Sequence, residues 1–320
     1  MQDYEFSINT YVPYTHYTVT IPNNNIRITK SGNYVLVVYK NNNPEDLVLT
    51  RRFMVYEEKV TVAGNIVRAT RLEERDTHQQ LNFTLTHLGY DIPNPFIDLH
   101  VNVIQNGRWD NARIDIKPKF VKNQQLEYNF DGENTFYGGN EFRNFDTKQL
   151  TELTINVRKT VLDTNYTVYL VPETPRLASR YSFNEDINGR FLTKRLNSNN
   201  PETEADYAWV DFFLATEPYD EGNVYVFGQL SDWRIQPRFM LRYDYQTRAY
   251  RGKILLKQGY YNYEYVVFND NTLMADETLI EGSHWETSNE YTILVYHREI
   301  GIRYDRLVGI TQFMERPVQQ

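Results

Sequence analysis

The chain has no cysteine, which excludes disulfides and any thiolate-held zinc or iron–sulfur centre but leaves the redox compartment undecided. It has no run approaching the ~18 apolar residues of a spanning helix, and its mean hydropathy is -0.62, so no direct membrane insertion is expected. The first ten residues, MQDYEFSINT, lack the charged head and apolar stretch of a secretory signal. Basic residues are not in excess: residues 1–200 carry 23 Lys+Arg against 23 Asp+Glu, and residues 201–320 carry 11 against 19, for a net charge of -8. An acidic last third over a balanced remainder offers no basic stripe, and nucleic acid is not an expected partner. Gly-x-Ser-x-Gly is missing too, as is any serine at a strand-to-helix elbow.

What the chain has in plenty is aromatic side chains: 26 Tyr and 17 Phe among 320 residues. These suit a pleated, half-buried surface. Most of the sequence reads with period two. Ile97, Leu99, Val101 and Val103 alternate with Asp98, His100 and Asn102, the pattern of a strand with one buried face. Asn106-Gly107 follows, the dipeptide best suited to a type I′ turn. Closing that turn predicts Ile97 opposite Ile116, Leu99 opposite Ile114 and Val101 opposite Ala112 on one face, with Asp98 opposite Asp115 on the other. Further strands are predicted at 16–21, 33–39, 48–55, 80–86, 153–157, 166–171, 207–214, 223–227, 249–256, 261–268 and 291–296, punctuated by turn clusters such as Asn41-Asn42-Asn43-Pro44.

The fold expected is all-β, with two or three β-sandwich domains at this length. The polar stretch Leu196–Pro201 and a weaker break at Glu57–Gly64 divide the chain into a partial N-terminal sandwich (1–60), a central sandwich region (61–199) and a C-terminal immunoglobulin-like, early-set domain (200–310).

Nothing in the sequence is assembled like an active site. The six histidines, His16, His78, His87, His100, His284 and His297, have no ligand spacing, and His100 on the polar hairpin face is expected to take a cross-strand partner. Glu202, Glu204 and Asp206 read as a solvated strand entry and not as a glycosidase pair, whose carboxylates normally come from separate elements. Gly138-Gly139-Asn140-Glu141-Phe142-Arg143 has no Gly-Lys-Ser ending and reads as a loop anchored by Phe136, Tyr137, Phe142 and Phe145. No metal, cofactor or catalysis is expected.

The last third resembles the early-set modules of glycogen-binding domains at Phe227-Gly228-Gln229-Leu230-Ser231-Asp232-Trp233 and at Gly259 with Tyr261, Tyr263 and Tyr265. That resemblance implies sugar stacking if these rings are exposed, and a conserved sandwich core if they are not. A carbohydrate-binding module is therefore the alternative reading of function.

Over nearly its whole length, from Tyr14 to Gly309, the chain resembles the plug protein family of the type IX secretion system. The stretches that carry this include Tyr14-Thr15-His16-Tyr17, Ile28 to Tyr34, Leu49 to Val55, Gln105 to Asn111, Gly138 to Phe145, Asp186 to Phe191, Glu202 to Tyr207 and Lys257 to Tyr263. The resemblance implies a non-catalytic periplasmic protein that binds the outer-membrane translocon barrel and closes its periplasmic opening. It also implies that the chain starts inside its first domain, since family members usually carry a signal and further strands before the region matching Tyr14. A seal needs a rigid surface of aromatic anchors with a polar rim, supplied by loop tips. The residues expected there are Arg108 and Trp109 at the hairpin tip and Phe136, Tyr137 and Phe142 in the following loop, unless Trp109 packs inward on Ile104.

Overall fold

A computed structural model of the chain describes residues 3–129, 132–220, 222–269, 271 and 274–315. It is built almost wholly of strands in several sheets, a sandwich-like all-β protein. The chain divides into two compact units, each assembled from two separate segments.

One unit comprises residues 21–136 and the chain from 289 onward. Its sandwich pairs a four-stranded sheet, in the order Arg306–Glu315, Asn289–His297, Leu99–Gln105, Arg108–Ile116, with a five-stranded sheet centred on His78–Thr86 and including Thr61–Arg68. In His78–Thr86 the inward Leu81, Phe83 and Leu85 alternate with Asn82, Thr84 and Thr86, so period two alone fixes which face is buried. Phe83 stacks on Tyr128 with centroids 4.5 Å apart. Asn289–His297 is buried at every position, as a central strand covered on both faces must be.

The hairpin shows where local reasoning stops. Asn106 and Gly107 have φ of 53° and 72°, as a type I′ turn requires, and Gln105 lies opposite Arg108. Beyond that the register shifts twice, placing Val103 opposite Arg113 and Val101 opposite Ile116. The predicted pairs do not form, because extra residues bulge from the second strand, with Asp115 at φ 58°. Nor does the first strand extend back to Ile97. Pro95–Asp98 is a helical turn, with the Asn94 side chain accepting from the Phe96 N–H and the buried Asp98 carboxylate accepting from the Asn94 N–H at 2.9 Å. His100 does take its cross-strand partner, Asp115, at 2.8 Å.

The other unit comprises residues 1–20 and 137–288, described from residue 3. Eight strands follow one another in a hydrogen-bonded path: Arg143–Asp146, Gly259–Asn269, Asn223–Phe227, Met240–Asp244, Ala249–Lys257, Tyr207–Ala215, Tyr166–Leu170 and Val157–Leu162. Phe191–Thr193 and Met274–Asp276 also pair with Gly259–Asn269. The path encloses a core of Phe145, Val168, Val210, Phe212, Phe227 and Tyr263.

This division departs from the expected 1–60, 61–199 and 200–310. Tyr166–Leu170 pairs in parallel with Tyr207–Ala215, Val168 opposite Val210, so one sheet crosses residue 200, and residues after 288 belong to the other unit. The polar Leu196–Pro201 stretch is a turn that leads into the helical turn Pro201–Glu204. Asp206 is not solvated but buried, accepting from the N–H groups of Tyr11 (2.6 Å), Val12 (3.0 Å) and Tyr207 (2.8 Å). The break expected at Glu57–Gly64 falls within one unit, where Thr61–Arg68 is a strand. The strand predicted at 153–157 gives way to a turn with Asn156 at φ 57°, and the strand starts at Val157.

Candidate partner-binding surface

Three of the five residues expected at a partner surface belong to the interior. Arg108, Phe136 and Phe142 are at most 4% exposed. The Arg108 guanidinium grips Asp110, with Nε at 3.0 Å and NH2 at 2.6 Å. Phe136 packs edge-on to Tyr291 at 5.2 Å, and Phe142 meets Trp233 at 6.0 Å. Contact with a partner through these three would require unfolding. Trp109 is 37% and Tyr137 50% exposed, so part of each ring reaches the surface.

The sugar platform is equally absent as a surface. Tyr261, Tyr263 and Tyr265 are buried, and Trp233 packs against Phe227 at 5.4 Å. Rings enclosed in this way present no faces for stacking a sugar.

The Gly138-to-Phe145 stretch anchors an internal ionic cluster. Gly138 passes so close to the backbone of His284 that a Cβ would sit 2.0 Å from its carbonyl oxygen, which is why glycine stands there. Arg143, buried, donates from Nε to Glu281 at 2.9 Å, from NH1 to Glu173 at 3.0 Å and from NH2 to the Thr174 carbonyl at 2.8 Å. Arg176 holds the other Glu281 oxygen at 2.7 Å, and Glu173 accepts from the hydroxyls of Tyr263 and Tyr265 at 2.7 and 2.6 Å. Burial pushes the Glu281 carboxyl upward, but Arg143 and Arg176 outweigh it and hold the group below its ordinary value. Both carboxylates are pinned by cations and hydroxyls, the condition of a clasp and not of a proton shuttle. Among the described residues no group of three or more His, Cys, Asp or Glu converges as a metal site would require.

Asp186 stands beside this cluster in the irregular chain between strands, accepting from the N–H groups of Phe142 (2.5 Å) and Asn188 (2.8 Å). Burial pushes its carboxyl up to about 7, against those two hydrogen bonds. A folded pKa raised above the unfolded one gives stability that is complete below about pH 4 and lost as pH rises through about 7. His78, His284 and His297 are shifted down by burial and act in the opposite sense, losing stability as pH falls. The Asp186 contribution is therefore read by difference. Between pH 5 and 8 the melting temperature of Asp186→Asn should fall less, or rise more, than that of the wild type; parallel profiles would show that Asp186 is ionised throughout.

The exposed surface that stands out is the first 57 residues. None of the described residues 3–57 is among the buried hydrophobics, which begin at Val60, whereas 15 of the 40 exposed large hydrophobics lie in this stretch. In one unit it forms the hairpin of Asp3–Phe6 with Thr15–Thr18, where Tyr4, Phe6 and Tyr17 share a face, with Tyr4 5.7 Å from Phe6 and 6.2 Å from Tyr17. The hairpin is held by the Ile8 N–H on the Thr203 carbonyl, the Tyr14 hydroxyl on the Ala205 carbonyl at 2.8 Å, and Asp206. In the other unit it forms the two-stranded sheet of Gly32–Tyr39 with Leu47–Val55. One face of that sheet stacks Tyr34 on Phe53 at 5.2 Å. The other carries Val35 and Val37, 58% and 44% exposed, beyond a base where the Tyr296 hydroxyl meets Asn33 at 2.8 Å. A two-stranded hairpin in water is marginal by itself, and here each is tied to its unit by the bonds just given while its apolar side chains stay exposed. The sequence pattern of alternation was readable here; that neither face would be buried was not, since alternation alone does not say what covers a strand.

One of the comparisons falls on this stretch. Residues 1–57 match the family model described as the type 9 secretion system plug protein 1st domain. The crystal structure of a hypothetical protein from Parabacteroides merdae superimposes with a TM-score of 0.94 at 32% identity, over 98% of this chain and 79% of that one. No curated protein matches the chain. With a secretion-system domain at its start and a 32% identical relative along nearly all of its length, the chain belongs to the type 9 secretion system plug protein family.

Proposed function

We propose that the protein is a non-catalytic periplasmic plug that binds the outer-membrane translocon barrel of the type 9 secretion system and closes its periplasmic opening. The observation that carries this reading is the match of residues 1–57 to the type 9 secretion system plug protein 1st domain. Fully burying one Val or Phe is favourable by about 1.5–3 kcal/mol, so a partner that covered Val35 and Val37 on one unit, or Phe6 with its neighbouring tyrosines on the other, would gain a few kcal/mol. Rigid strands suit a seal, because a seal of mobile loops would lose free energy on ordering. The envelope location follows the family, and no helix among the described residues is long and apolar enough to cross a membrane.

The test is capture of detergent-solubilised translocon by immobilised protein. Val35→Glu/Val37→Glu and Phe6→Glu should each reduce capture at least about tenfold, since a charge buried at an interface costs well over 1.4 kcal/mol. Their thermal stability should change by no more than about 0.5 kcal/mol, as for other surface substitutions. Undiminished capture by both variants would remove this surface from the seal.

A further inference from the structure

The unit containing residues 21–136 and 289–315 has a cleft of about 700 Å³ between the base of the Gly32–Tyr39 strand, the outer face of Leu99–Gln105 and Arg108–Ile116, and the loop around Arg303. Its two carboxylates, Asp115 and Asp305, are each paired with cationic side chains. Asp115 takes His100 at 2.8 Å and Lys117 at 2.6 Å, and Asp305 is forked by Arg298 at 2.6 and 2.8 Å. The two carboxamides point the same way. The Asn33 oxygen accepts from the Tyr296 hydroxyl and the Asn102 oxygen from the Asp115 N–H at 2.9 Å, so what each of these lining carboxamides still has to offer is its NH2 donor. Two cations lining it, Lys30 and Arg303, hold no carboxylate among the described residues; Lys30 lies 4.5 Å from the centroid of the Tyr304 ring. The cleft thus offers two cations not taken up by its own carboxylates, between Tyr34 and Tyr304.

We infer that this cleft binds an acidic peptide segment, with side-chain carboxylates on Lys30 and Arg303 and main-chain carbonyls on the carboxamides of Asn33 and Asn102. A peptide fits better than a small anion for two reasons. The volume exceeds what a phosphate fills, and among the described residues the strands Gly32–Tyr39 and Arg108–Ile116 each pair along one edge only, so an extended chain could run beside them. Since the protein carries a net charge of -8, the whole-molecule field does not draw acidic ligands, and attraction must come from these local cations, screened within about 10 Å at 0.1 M salt. The inference does not depend on the translocon reading, and it uses a polar surface instead of the apolar strand face.

The full chain is titrated with fluorescein-labelled Gly-Glu-Tyr-Glu-Gly amide and, separately, with the matching Gly-Gln-Tyr-Gln-Gly amide, following anisotropy. Saturable binding of the acidic peptide is expected, with at least about tenfold weaker binding of the amide peptide and of the acidic peptide to Lys30→Gln/Arg303→Gln. Both substituted side chains are exposed, and an unchanged melting curve checks that the variant is folded; if it melts lower, Lys30→Gln and Arg303→Gln are measured singly. No binding to millimolar peptide, equal binding of the two peptides, or unweakened binding by the variants overturns the assignment. So does displacement by inorganic phosphate at the concentration at which unlabelled peptide displaces, since the cleft would then be a general anion spot.

Discussion

Replacing Arg143 by Gln should lower the free energy of unfolding by about 3–5 kcal/mol, the cost of stranding buried charge. Glu281 is 1% exposed and would keep Arg176 and the Tyr265 N–H at 2.9 Å, while Glu173 would lose its cation and retain two tyrosine hydroxyls. The pH response should change sign as well. In the wild type Glu281 is held below its ordinary value, so its contribution is present above about pH 4.5 and lost on acidification. Without Arg143 the buried carboxyl would be pushed above that range, and protonating it would stabilise the fold. Arg143→Lys should fall between, because an ammonium cannot reproduce the fork to Glu281, Glu173 and the Thr174 carbonyl. Denaturant unfolding at pH 5 and pH 8 measures both effects. A loss under about 1 kcal/mol for Arg143→Gln would mean that the cluster is wet and not a clasp.

Phe145→Ala should cost about as much, 3–5 kcal/mol for a large-to-small change in a closed core. Phe145 is fully buried, stacks on its cross-strand neighbour Tyr261 at 5.1 Å and 9°, and meets Phe212 edge-on at 5.7 Å. Phe191 makes the same stack on the other side of Tyr261, at 5.2 Å and 11°, but is 37% exposed. The pair separates two causes. If burial dominates, Phe191→Ala costs about 1 kcal/mol, the scale of a ring pair alone. Equal losses at the two positions would show that the three-ring stack acts as a unit. Chemical denaturation with unchanged m-values is the measurement.

The strands were legible wherever one face is buried and the other wet, because period two then appears in the residues themselves. His78–Thr86 and Tyr207–Ala215 are examples. Arg306–Glu315 was not foreseen, since its apolar residues are mixed with Gly309, Thr311 and Gln312 and its place is set by pairing with Asn289–His297. The hairpin turn at Asn106-Gly107 was local chemistry and was readable; its register depended on bulges at positions that carry no turn signal. The aromatic residues of the Gly138-to-Phe145 loop were rightly expected to anchor it, yet the sequence did not reveal that the charged Arg143 among them would meet Glu173 and Glu281, 30 and 138 residues away. Arg108, Phe136 and Phe142 were placed at the surface for a related reason: residues at loop tips look alike whether they point in or out, and only tertiary neighbours decide.

The order of the segments along the chain also has a consequence for synthesis. Residues 137–288 of one unit interrupt the other, whose strand Leu99–Gln105 must wait for Asn289–His297 to lie beside it, with Gln105 opposite Tyr291, 186 positions later. As the polypeptide emerges, the interrupting segment is complete first, while Leu99, Val101 and Val103 remain without the strand that covers one edge of their sheet. Pairings of such long sequence separation are slow to close and leave apolar edges open meanwhile. Ribosome-bound chains ending at residue 288 should therefore be protease-resistant within 137–288 and sensitive around 99–116, and only the last thirty-odd residues should confer protection on both.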